Sequence, residues 1–116
     1  MNKEIEQMCK EFNIIYMEII NIANLERWVC GKYEELPYKG LHLNLLDDEI
    51  KIRNLIAMFD KDEEPHTWRQ GDMVLLVFRK QTYLVCVFYV TNKKGLESFQ
   101  YSQNIFSRFK EIDKIQ

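Results

Sequence analysis

The side chains with the most chemical reach in this sequence are carboxylates: Glu34 and Glu35, then Asp47, Asp48 and Glu49, then Asp60, Asp62, Glu63 and Glu64. Two uses are open to them. Residues 47–49 can serve a helix N-terminus and residues 62–64 can be a solvated loop. Alternatively the groups jointly present negative charge at spacings comparable to phosphates, as in a protein that occupies a DNA-binding groove. Calcium binding is disfavoured, because the 60–64 loop lacks the glycine and the distal glutamate of such a site. No metal and no cofactor is expected.

Nucleophiles and bases are sparse. His42 and His66 are the only histidines and lie far apart, so hydrogen-bonded or solvent-facing imidazoles are expected. Cys9, Cys30 and Cys86 are odd in number and lack C-x-x-C spacing, which predicts reduced core thiols and no disulfide. There is no G-x-S-x-G elbow, P-loop, G-x-G-x-x-G or H-E-x-x-H string. No catalytic residue is therefore assigned, and the chain is expected not to be an enzyme. A small enzyme using Cys30 or Cys86 with a histidine would need an accessible thiol of depressed pKa, and Cys86 sits in an apolar run where a thiol is inert.

Charge is unevenly spread. The net formal charge is −2, but residues 34–72 hold 5 basic and 10 acidic side chains (−5), while residues 73–116 hold 7 basic and 3 acidic (+4). Such polarity suggests steering toward a basic partner. Arg79, Lys80, Lys93 and Lys94 read as solvated turn residues, and with a pI near 5.7 direct nucleic-acid binding is not expected.

These side chains must be positioned by a small number of elements. Residues 73–78 and 83–90 are apolar at odd and even positions alike, with Arg79, Lys80, Gln81 and Thr82 between them. A strand with one solvated face alternates, so this is a hairpin buried on both faces, the centre of a sheet covered by helices. Ahead of it, Ile5, Met8, Phe12, Ile15, Tyr16, Ile19, Ile22 and Ala23 predict one helix, bent near Asn13, and Asn24 could cap a further turn carrying Leu25 and Trp28. Gly31 suits a left-handed residue. Residues 34–40 read as a loop around Pro37, and Leu41, His42, Leu43, Asn44 and Leu45 alternate as a short strand. The acidic run 47–49 opens a helix with Ile52, Leu55, Ile56 and Phe59 on its stripe.

The segment 60–66 reads as a polar loop leading through Trp68 and Gly71 to the hairpin. After it, residues 91–95 form a turn in which Gly95 can take positive φ, and residues 97–101 an edge strand. Ser102 would cap a last helix bearing Ile105, Phe106, Phe109 and Ile112. The result is a single α+β domain over residues 1–116: a small antiparallel sheet with a central hairpin, packed against three or four helices. With charges in its first dozen residues and no long uncharged run, the chain is expected to be cytoplasmic, with no membrane partner and no small-molecule substrate.

Several strings resemble the staphylococcal uracil-DNA glycosylase inhibitor family of DNA-mimic proteins: Arg27, Trp28, Val29 and Cys30; Tyr33, Glu34, Glu35 and Leu36; Leu41, His42 and Leu43; residues 68–90 with their Arg79, Lys80, Gln81 turn; and Phe99, Gln100, Tyr101 and Asn104. The resemblance implies a non-enzymatic inhibitor that binds uracil-DNA glycosylase and blocks its DNA-binding cleft. It implies partner contacts at Leu96, Glu97 and Phe99, where a pocket receives an inserted side chain, with the loop holding Asp62, Glu63, Glu64 and His66 beside a second contact. Glu34, Glu35, Asp47, Asp48 and Glu49 would supply the mimicking charge. The alternative is an acidic immunity or interaction module that blocks another basic enzyme, such as a nuclease.

Overall fold

The computed structural model describes residues 3–59 and 64–112. In chain order its elements are α1 (Lys3–Glu11), β1 (Ile14–Asn21), β2 (Arg27–Gly31), a 3₁₀ turn (Tyr33–Glu35), α2 (Gly40–Leu45), α3 (Glu49–Ala57), β3 (His66–Gln70), β4 (Met73–Lys80), β5 (Tyr83–Val90) and α4 (Gly95–Lys110). The five strands form one antiparallel sheet in the order β2-β1-β5-β4-β3. β5 is the middle strand, and the fold is α+β as its doubly apolar sequence requires.

Strand alternation divides the interior into two layers. Met17 and Ile19 of β1, Val74, Leu76 and Phe78 of β4, and Val85, Val87 and Tyr89 of β5 face α1 and α4, which contribute Ile5, Met8, Ile105, Phe106 and Phe109. The opposite pleats, including Tyr16, Ile20, Leu75, Val77, Cys86 and Phe88, face Leu36, Leu46, Ile52, Leu55 and Phe59. Covering both faces of a sheet is what makes runs without alternation favourable.

Five sequence expectations need correction. The long first helix is a helix and a strand: Asn13 takes φ 54° after α1, and Ile14–Asn21, rich in β-branched residues, continues as β1. Its apolar spacing looked helical because a doubly buried strand is apolar everywhere. Trp28 lies on β2 rather than on a helical turn. The alternating run 41–45 is α2, in which His42 and Leu46, four apart, turn inward while Leu43 stays exposed. Residues 97–101 are the first half of α4, and Ser102 is no cap: it is buried inside that helix and donates to the Phe99 carbonyl. Strand β3, including His66 and Trp68, occupies part of what reads as a loop.

Gly31 does take positive φ (88°), at the end of a strand and not of a helix. A Cβ there would overlap the Ile15 carbonyl oxygen across the β1–β2 ladder, beside the register shift between Ile14 and Tyr16. Gly31→Ala is expected to cost about 2 kcal/mol or more, from strain and backbone displacement together. Urea denaturation would check this: an unchanged midpoint would mean the ladder relaxes freely.

Candidate functional site

Among the described residues Glu18 is the one carboxylate folded into the core, 1% exposed near the middle of β1. Its Oε1 accepts from Arg27 Nη1 at 2.7 Å, and its Oε2 lies 2.8 Å from the Tyr16 hydroxyl and 2.6 Å from His42 Nε2. Arg27 also donates to the Leu46 carbonyl, so the cluster ties β1, β2 and the end of α2 together. Burial acts to raise the Glu18 pKa, but hydrogen bonds from His42 and Tyr16 and the charge of Arg27 outweigh it and hold the carboxyl below its ordinary value. Tyr16 responds oppositely, its hydroxyl pushed up by burial and by the carboxylate beside it. His42 Nδ1 is buried without a hydrogen-bond partner, and the ring stacks edge-on against Tyr33 at 4.8 Å.

This cluster has the residue types of acid–base chemistry, yet apart from His42 Nδ1 its polar side-chain groups are engaged in holding the layers together. None of its four residues lines the cavities described below. Cys86 opposes Glu18 across the β1–β5 ladder, and full burial raises its thiol pKa far from the reactive range. His66 stacks near Phe59 and Trp68. Among the described residues no group of three His, Cys, Asp or Glu side chains could hold a metal.

A second arrangement lies across the sheet. Where β3 meets the start of α4, a groove of about 670 Å³ is lined by Thr67, Arg69, Val74, Lys94, Ser98 and Phe99, among others. Arg69 braces its wall: the guanidinium donates to the carbonyls of Gly71, Thr91 and Lys93 and to Ser98 Oγ. Phe99 (54% exposed) lines the groove, and Leu96 (71% exposed), three residues earlier on α4 and next to the lining residue Gly95, is exposed beside it. Lys93 and Lys94 flank them, and the positive end of the α4 dipole points the same way.

The residues assigned from sequence do not converge. Glu34 and Glu35 lie exposed on the 3₁₀ turn. Asp47, Asp48 and Glu49 lie at the start of α3, where Asp48 caps the helix by accepting from the Lys51 amide and Glu49 pairs with Arg53. Leu96, Glu97 and Phe99 are on α4, which packs on the other face of the sheet from α3. Glu64 is exposed ahead of β3, and Asp62 and Glu63 lie outside the described residues. Sequence reasoning missed Glu18, although a single acid inside the apolar run 14–20 was a visible signal.

No protein-family model and no curated protein matches the chain. Among the solved structures that match is Myxococcus xanthus MglB, with a TM-score of 0.53 over 96% of this chain and 95% of that chain, at 12% identity. The likeness is one of fold. It runs through nearly the whole of both chains, and it overturns the expectation of a DNA-mimic inhibitor of uracil-DNA glycosylase. That reading needed the mimicking carboxylates to flank an apolar pocket, and its alternative, an acidic module blocking another basic enzyme, needed them on one face. The groove that Phe99 lines holds Lys94 and Arg69 instead, and residues 97–101, expected to be an edge strand, are helix.

Proposed function

We propose that this chain is a non-enzymatic protein-docking domain that receives an apolar side chain flanked by carboxylates from a partner protein, in the groove between β3 and the start of α4. What carries the reading is the exposure of Phe99 on the wall of a groove, with the exposed Leu96 three residues before it on α4, in a chain that buries its other phenylalanines or half-buries them. Covering a leucine and a phenylalanine contributes roughly 1.5–3 kcal/mol each, enough for a binding hot spot. Charge complementarity selects the occupant: Lys93, Lys94 and the α4 N-terminus favour acids on the partner, in keeping with the +4 of residues 73–116.

Peptides with one Leu, Phe or Trp anchor, flanked by either Asp/Glu or Lys/Arg, test this by amide chemical-shift titration. The acidic series is expected to shift Thr67, Val74, Lys94, Ser98 and Phe99 and to weaken with added salt. Leu96→Asp is expected to lower affinity at least about tenfold while leaving the melting temperature within a degree or two, since Leu96 is exposed. Equal response to both series, or shifts confined to other surfaces, would overturn the reading.

A further inference from the structure

Cys9 of α1 and Cys30 of β2 come from different elements, 21 residues apart, yet their sulfurs lie 3.5 Å from one another as free thiols. A disulfide needs about 2.05 Å, so the two sulfurs already lie within about 1.5 Å of bonding distance. Both side chains are only partly buried and border a cavity of about 560 Å³ that Glu6, Lys10, Asn13 and Glu35 also line, which gives a small oxidant a path to them. Cys86 is no competitor, being fully buried in the middle strand on the pleat that faces away from α1.

We propose that Cys9 and Cys30 form a reversible intramolecular disulfide, with a low-molecular-weight disulfide of the oxidised-glutathione type as oxidant. The thiolate of Cys30 attacks one sulfur of the oxidant, forming a mixed disulfide and releasing one thiolate that takes up a proton. Cys9 then gives its proton to solvent and attacks Cys30 Sγ, the S–S bond to the second glutathione breaks, and that thiol leaves. Two protein thiols are oxidised and one glutathione disulfide is reduced to two thiols. Cys9 takes the second step because burial, the hydrogen bond and charge of Cys30, and Glu6 all push its thiol pKa up, so its thiolate is scarce until the mixed disulfide is held beside it.

The bond would staple α1 to an edge strand that otherwise pairs only with β1. The C-terminal end of α1 already holds α4, through the Glu11–Arg108 ion pair and the Tyr101 hydroxyl on the Phe12 carbonyl. Oxidation would therefore tighten three elements at once.

Protein equilibrated in glutathione buffers of rising oxidised fraction is expected to lose two hydrogens by intact mass and to melt higher by on the order of 10 °C. Alkylation after denaturation should then count one free thiol, Cys86, where reduced protein has three. In Cys9→Ser the glutathione adduct on Cys30 should persist instead of closing. Three free thiols throughout the series, adducts on wild-type protein that never close, or a cross-link involving Cys86 would each overturn the proposal. The thiol count uses the wild-type chain, so it decides the matter whether or not the serine variant folds.

Discussion

Val85→Asp is expected to unfold the domain at neutral pH. Val85 is fully buried on β5, paired with Ile19 of β1 on one side and Phe78 of β4 on the other, and it faces the layer filled by α1 and α4. A carboxyl placed there escapes burial as an anion by protonating; with a pKa raised by 3–5 units this costs about 4 kcal/mol at pH 7, because the unfolded value of about 3.9 lies only about three units below that pH, and burying the unpaired neutral carboxyl costs roughly 1–3 kcal/mol more. A domain of this size has roughly 5–15 kcal/mol in total. Because the folded-state pKa would lie above the unfolded value of about 3.9, the deficit relative to wild type should be smallest below that pH and grow as pH rises. Far-ultraviolet circular dichroism during heating at pH 7 and pH 4 checks both points. A cooperative melt near the wild-type temperature at pH 7 would place Val85 outside the core.

Residues 73–90 were legible because two features coincide there: apolar residues at every position of both runs, rich in valine and aromatics, and a short polar break between the runs. The helix after Asp48 was legible from its acidic start and its three- and four-residue spacing. Residues 14–21 were misread because a fully buried strand satisfies a helical template as readily as a strand one, and only Asn13, which adopts a left-handed conformation, ends the helix. The run at 41–45 failed for the opposite reason: five residues can alternate by chance, and the inward pair His42 and Leu46 shows its helical spacing only when the window is extended by one residue.

Position along the chain was also a poor guide to electrostatics. Residues 34–72 are acidic as a segment, but Glu34 and Glu35 lie on a 3₁₀ turn and Asp47, Asp48 and Glu49 at a helix start, on one side of the sheet. The exposed apolar pair emerges on the other side, among cations. Charge asymmetry read along the sequence thus pointed toward a basic partner, whereas its folded distribution around Leu96 and Phe99 favours an acidic one.

The largest effect from a native polar residue is expected at Glu18. The surface pairs Arg53–Glu49 and Arg108–Glu11 are well exposed, and such pairs contribute about 0–1 kcal/mol. Glu18 differs because its partners are committed to it: Glu18→Ala would strand the Tyr16 hydroxyl and His42 Nε2 in a layer where Nδ1 already lacks a partner, and would leave Arg27 facing the gap. Breaking a buried pair in this way costs about 3–5 kcal/mol. Glu18→Gln keeps the volume and some hydrogen bonds, so a smaller loss is expected, with a distinct pH signature. The folded-state pKa of Glu18 is lowered, so its ionised form contributes stability above the ordinary value of 4.5, and that contribution disappears as pH falls through the lower folded value. The stability gap between wild type and Glu18→Gln should therefore narrow from pH 6 to pH 3, whereas an unshifted Glu18 pKa would leave it constant and an uncharged Glu18 would make it widen as pH falls. Denaturant titrations at both pH values, with His42→Ala as a third variant, separate these outcomes: if Glu18→Ala melts within two degrees of wild type, the cluster is not what joins α2 to the sheet.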